Sequence, residues 1–277
     1  MTTPSETPSN PRRKLIIQVT IVVAALALLA WRARPDGRLH VIFFETKGDA
    51  ALIETPDGRY VLLDGGGDPA ALAAALGRRL PFWRRTLDMA ILTLPDGKHL
   101  PGQIAALARY RVAMAITSPV AKRSALVREW LRLLDEQHTP VRAARAGDRI
   151  DMGGATLRVL AAGDGDESGV VLRLDYGATS VVFDHSGGEA ATETLAASAP
   201  RAATLLAFPW QRDPHSPLVA ALHPRAMVLT DGYEADQPIE QTFVERSVGG
   251  AALYHERLDG AIEWTSDGAR AWVVTER

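Results

Sequence analysis

Apolar runs and short polar turns alternate along the chain, and the period of the alternation switches between that of strands and that of helices. "LHVIFFET" and "ALIET" are rich in β-branched and aromatic residues and are joined by the turn "KGD"; "PDG" then leads into a third run, "RYVLLDGGG". Runs of this composition, bounded by Gly, Pro and Asp, predict strands. The Ala-rich "PAALAAALGRRL" predicts a helix, with Pro69 at its favoured first position. Strand and helix signals then alternate through "DMAILT", "QIAALARY", "VAMAIT" and the helical segment Ser124 to Gln137. A second half brings strands "ATLRVLAA", "GVVLRLDYG" and "TSVVFDHS", helix "EAATETLAAS", strand "TLLAFPW", helix "PLVAALH", strand "AMVLTDG" and a terminal hairpin, "GAIEWTSDGARAWVV". Hairpins followed by a βαβα alternation, given twice, predict an α/β (α+β) domain of two mixed sheets packed together, with helices outside.

The N-terminus has a different pattern. "MTTPSETPSN" is polar and rich in Pro, Ser and Thr, so residues 1–14 are expected to form a disordered tail. Leu15 to Trp31 is an uncharged run of 17 residues. At about 1.5 Å per residue it spans roughly 26 Å, within the range of real membrane spans, and Trp31 suits an interfacial position. A signal peptide has a similar outline, but the run exceeds a usual apolar core, and cleavage after Ala30 would put Leu28 where a small residue is wanted. A buried core helix fits poorly beside a basic, disordered tail. The expectation is a single-pass membrane protein with its anchor at residues 15–31, a linker at 32–38, and one domain over 39–277. Arg12, Arg13 and Lys14 face Arg32, Arg34 and Arg38 across the span, so the positive-inside rule barely discriminates; the domain is placed on the extracytoplasmic side.

Composition then narrows the chemistry. With 47% hydrophobic residues the chain can fill a large core, so it is not disordered overall. Its 31 basic and 33 acidic residues give a net charge of -2, which supplies no field to draw it onto nucleic acid. The absence of cysteine excludes disulfides, thiolate nucleophiles and Cys-ligated zinc.

The candidate chemistry lies in "LTLPDGKHLPG", Leu92 to Gly102, a loop at the carboxyl end of an expected buried strand. Together with "LHVIFFETKGDAALIETPDGRYVLLDGGG", "GVVLRLDYG" and the terminal hairpin, it resembles the metallo-β-lactamase-fold domain at the C-terminus of the ComEC family of DNA-uptake membrane proteins. The resemblance runs from Leu39 to Val274 and implies an αββα four-layer sandwich. It also implies a hydrolase or nuclease site with two divalent metals, zinc or manganese, and a place beside a DNA-uptake or other membrane complex.

Several family motifs are altered. T-H-P-D-x-D-H is replaced by Thr93, Leu94, Pro95, Asp96, Gly97, Lys98 and His99, so leucine and lysine stand at two ligand positions. Where a T-G-D motif supplies a bridging aspartate, the sequence has Ser186, with Asp184 and His185 nearby. V-P-H-H-G-S becomes Phe208, Pro209, Trp210, Gln211, Arg212 and Asp213; the distal G-H-P becomes "ADQP", with Gln237; and G-Q-G-D becomes Lys47, Gly48 and Asp49, one residue shorter. Leucine offers no lone pair, and an ammonium group repels a dication.

The expected outcome is a rim of former ligand positions: Asp64, Leu94, Asp96, Lys98, His99, Asp184, His185, Ser186, Trp210, Gln211, Asp213 and His215. No metal or other cofactor is expected there. If an ion is held, Asp96, His99 and His185 are its candidate ligands, and Lys98 is expected to offset the carboxylates of Asp64, Asp96, Asp184 and Asp213. On this view the domain binds or assembles rather than catalyses; the alternative is an active hydrolase with a shifted or single-metal site. The glycines after Asp64 read as a tight strand-to-helix turn rather than a phosphate cradle, because no Lys-Ser/Thr follows. His40, His138, His223 and His255 read as structural, and Ser186 and Ser216 lack a nucleophile elbow.

Overall fold

The structure is a computed structural model describing residues 11–32, 34–119, 124–163, 169–185, 189–198, 200–210, 212–230 and 246–277. Ser186, Gln211 and Gln237 lie outside the described residues. The chain forms two compact units, divided between Asp36 and Gly37.

The first unit contains helix α1, Pro11–Arg32. Among the described residues no helix is long and apolar enough to cross a membrane, which overturns the reading of Leu15–Trp31 as a single-pass membrane anchor. The 17-residue uncharged run covers about 26 Å, short of a hydrocarbon core of roughly 30 Å, and Gln18 and Thr20 interrupt its first half.

In the second unit, two eight-stranded sheets carry the fold. The first is built from β1 (Leu39–Phe43), β2 (Ala50–Glu54), β3 (Tyr60–Asp64), β5 (Met89–Leu92), β7 (Ala115–Thr117), β8 (Val141–Ala143), β17 (Ile262–Ser266) and β18 (Ala271–Thr275), in the order β18-β17-β1-β2-β3-β5-β7-β8. Its β1 to β3 meander is antiparallel, and β3, β5, β7 and β8 are parallel. The second comprises β9 (Arg149–Met152), β10 (Ala155–Ala162), β11 (Val170–Tyr176), β12 (Thr179–His185), β13 (Leu205–Pro209), β14 (Ala226–Thr230), β15 (Ser247–Val248) and β16 (Ala251–His255), in the order β15-β16-β14-β13-β12-β11-β10-β9. It too passes from an antiparallel meander, β9 to β12, into parallel β12, β13, β14 and β16. Strands β4 (Thr86–Leu87) and β6 (Arg111–Val112) form a small separate pair.

Most of these strands bury both faces, which is why they read as unbroken apolar runs. In β3, Val61 and Leu63 enter the core shared with Leu157, Leu172 and Phe183 of the other sheet. Tyr60 and Leu62 instead meet helices α2 (Pro69–Arg79), α3 (Pro101–Leu107) and α4 (Ala125–Glu136) through Leu72, Leu76, Leu107 and Trp130. A third core joins Val182, Leu206 and Met227 to α5 (Glu189–Ala197) and α6 (Pro217–Leu222). The layers therefore run helix, sheet, sheet, helix, as the sequence pattern predicts.

Candidate metal centre

The ends of three strands meet at one edge of the double sheet. Asp49 immediately precedes β2, and its carbonyl accepts a 2.9 Å bond from the Gly66 N–H, tying it to the turn that follows β3. His99 lies in the loop between β5 and α3, and His185 is the last residue of β12 in the opposite sheet. This loop is fixed by backbone approach. A Cβ on Gly48, whose φ is +141°, would overlap the Lys98 carbonyl, and one on Gly102 would overlap that of Gly65. Only glycine lets these segments close on one another.

Asp49, His99 and His185 each place a ligand atom within 4.8 Å of the others, and all three are buried. Nε2 of His99 lies 2.9 Å from Asp49 Oδ2, and Nε2 of His185 lies 3.7 Å from the same oxygen. Each imidazole is held from its other edge. Asp96 Oδ1 lies 2.6 Å from His99 Nδ1 and also accepts the backbone N–H groups of Lys98 and His99. Asp64 Oδ2 lies 2.9 Å from His185 Nδ1 and 2.5 Å from the Thr93 hydroxyl that donates to it, while Oδ1 accepts the Thr93 N–H at 2.8 Å.

Charge follows this geometry. Burial opposes ionisation of Asp49, but the neighbouring His185 and His99 outweigh it and hold the carboxyl far below its ordinary range. Burial likewise disfavours the imidazolium of His99, yet its bonds to Asp49 and Asp96 raise its pKa well above the usual value. His185 is raised in the same sense, against burial, first by the charge of Asp49 and then by the bond to Asp64. The Thr230 hydroxyl favours ionised Asp49 by proximity, without hydrogen-bond geometry.

The donor set fits a divalent cation. Asp49 Oδ1 and His185 Nε2 are buried atoms with no hydrogen-bond partner among the described residues. Such atoms are costly unless something binds them. Two imidazoles and a carboxylate match borderline ions such as zinc or iron(II), and carboxylates behind the imidazoles are the usual outer support of metal-binding histidines.

Of the expected rim the structure gathers Asp64, Asp96, His99 and His185. Asp96 and Asp64 sit behind the histidines, and Leu94 is only partly buried. Lys98 is exposed; the cations beside Asp49 are histidines. Asp184 points to the other face of β12, where Arg212 Nη1 lies 2.9 Å from it. Trp210 packs edge-on to His255, and Asp213 and His215 are exposed and contact each other at 3.3 Å. Asp49 is absent from the expected rim. It was visible in sequence as the surviving end of the altered G-Q-G-D motif, but its approach to His99 depends on tertiary closure.

No protein-family model and no curated sequence matches the chain. Among solved structures it is similar to the metallo-β-lactamase fold protein YhfI from Bacillus subtilis, with a TM-score of 0.56 and 15% identity over 86% of this chain and 100% of that one. The chain has the metallo-β-lactamase fold. The metallo hydrolase Igni18 from Ignicoccus hospitalis shares that fold at a TM-score of 0.52 and 13% identity, covering 87% of this chain and 100% of its own. CmlA, a diiron β-hydroxylase from Streptomyces venezuelae, gives a TM-score of 0.55 and 13% identity over 82% of this chain and 54% of its own length. The expectation that no metal is held is corrected on two grounds. Asp49, His99 and His185 form a set able to hold an ion, and CmlA, to which the chain is similar in structure, is a diiron enzyme.

Proposed function

We propose that the chain is a metal-dependent hydrolase of the metallo-β-lactamase fold, built on a single-ion site formed by Asp49, His99 and His185. The observation that carries this reading is the convergence of two buried atoms without a hydrogen-bond partner among the described residues, His185 Nε2 and Asp49 Oδ1, beside His99 Nε2. Three protein ligands are the usual number at a catalytic zinc site. A divalent cation there would supply Lewis-acid polarisation and a water ionised near neutral pH. Asp49 contributes the negative charge, and the two histidines contribute neutral nitrogens once their Nε2 protons have left. The altered first motif removes ligands at Leu94 and Lys98, which favours one ion over the two of the ComEC-like pattern. The sequence resemblance to that family supports phosphodiester bonds as the substrate class.

A second reading has one observation in its favour. Asp49, His99 and His185 are 5%, 6% and 5% exposed, which suits a structural ion in a binding domain as well as a catalytic one. Hydrolysis of bis-p-nitrophenyl phosphate by chelator-stripped protein, with zinc or manganese restored, separates them. The hydrolase reading expects turnover that needs the metal and disappears in His185→Ala. Loaded protein without turnover would leave the structural ion.

A further inference from the structure

The first altered motif offers Asp96 as a ligand, yet the geometry gives it another task. We infer that Asp96 and Asp64 are positioning residues, each accepting a hydrogen bond from the Nδ1–H of one histidine and so leaving Nε2 as the nitrogen that faces the ion; the inference rests on the single-ion reading above. Asp96 Oδ1 already accepts three N–H groups: the backbone N–H of Lys98 at 2.8 Å, the backbone N–H of His99 at 3.1 Å and His99 Nδ1–H at 2.6 Å. It lies on the opposite edge of the ring from the Nε2 that approaches Asp49 at 2.9 Å. A carboxylate placed there orients the imidazole and cannot share its inner face.

Asp64 does the same for His185 with less freedom. It is 0% exposed, its φ is 54°, and it accepts the Thr93 N–H on one oxygen and both the Thr93 hydroxyl and His185 Nδ1 on the other. Those contacts require an acceptor at both oxygens. In neutral His185 the proton is therefore on Nδ1, and the Nε2 lone pair faces Asp49. The two histidines, from opposite sheets, thus reach one point through two separate carboxylate supports.

The substitutions separate a ligand from a support. Asp96→Asn keeps an oxygen able to accept all three N–H groups, so a support should lose no more than about threefold in zinc affinity, whereas Asp96→Ala should lose about 10- to 100-fold. Asp64→Asn tolerates the left-handed backbone but sets an N–H against either Thr93 N–H or His185 Nδ1–H. It should also cost about 10- to 100-fold, with stoichiometry unchanged at one. Competition titration of the full chain with zinc against a chromogenic chelator measures these affinities. Nitrogen-15 spectra of the zinc-loaded wild type should show Nδ1 protonated and Nε2 zinc-bound in both His99 and His185, a readout that needs no variant to fold. Equal losses in Asp96→Asn and Asp96→Ala, a second zinc lost on changing Asp96, zinc on Nδ1, or a wild-type affinity shared by all variants would each overturn the inference while leaving the metal reading standing. A wild type that binds no zinc would overturn both.

Discussion

Nε2 of His99 and Oδ2 of Asp49 lie 2.9 Å apart, in a pair whose side chains are 7% and 6% exposed. An uncharged imidazole with its proton on Nδ1 would turn a lone pair toward that carboxylate. The contact is favourable only if Nε2 carries a proton or if a cation stands between the two groups. Proton and metal therefore compete for one position.

This competition fixes how stability depends on pH in the metal-free protein. A raised imidazole pKa contributes stability that is fully present below about 6.5 and is lost as pH climbs through the higher folded value of His99. The lowered Asp49 pKa contributes stability present above about 3.9 and lost only as pH falls through its folded value. Urea denaturation in chelator should therefore show weaker stability at about pH 9 than at about pH 6, with a smaller difference in His99→Gln. Equal slopes in the two proteins would place the titration elsewhere.

The metal loop depends on backbone closure at Gly48. Gly48→Ala drives a methyl group into the Lys98 carbonyl at a φ of +141°, and should cost more than about 1 kcal/mol while weakening metal binding. Gly97→Ala, in the same loop, meets nothing within 4 Å and should stay within about 0.5 kcal/mol. Chemical denaturation and zinc titration of both variants check the contrast.

Behind the loop, Gln103 connects α3 to its neighbours. Its Nε2 donates to the Ile91 carbonyl at 2.7 Å, and its Oε1 accepts from Trp130 Nε1 at 2.8 Å, all in the core. Gln103→Leu strands both partners and should destabilise by about 2 to 6 kcal/mol, since each buried orphan costs about 1 to 3. A change under about 0.5 kcal/mol in thermal or urea unfolding would mean that water replaces the side chain.

Much of the fold was legible because its strands are buried on two faces. "YVLLD" and "MAIL" announce themselves by apolar content alone, and Ser124 marks the start of α4 by accepting the Val127 N–H. Strand β8, Val141–Ala143, is exposed throughout and carries no such signal. The site was legible in part. Strand alternation through Val181 and Phe183, both in the inter-sheet core, puts His185 on the inner face and Asp184 on the outer one, and that period of two could have separated them in sequence. Asp49 could not be found this way. Its partners lie 50 and 136 residues further on, and they meet it only when the β1 to β2 turn packs on the loop after β5.

The central claim is that Asp49, His99 and His185 hold one divalent ion. Full-length protein stripped with chelator, incubated with excess zinc, passed through a desalting column and analysed by mass spectrometry for metal per chain tests it directly. Close to one zinc per chain is expected, falling to near zero in His185→Ala and Asp49→Asn proteins that remain folded by circular dichroism. Wild-type protein without zinc, or both variants retaining it in full, would mean that these three residues hold no ion.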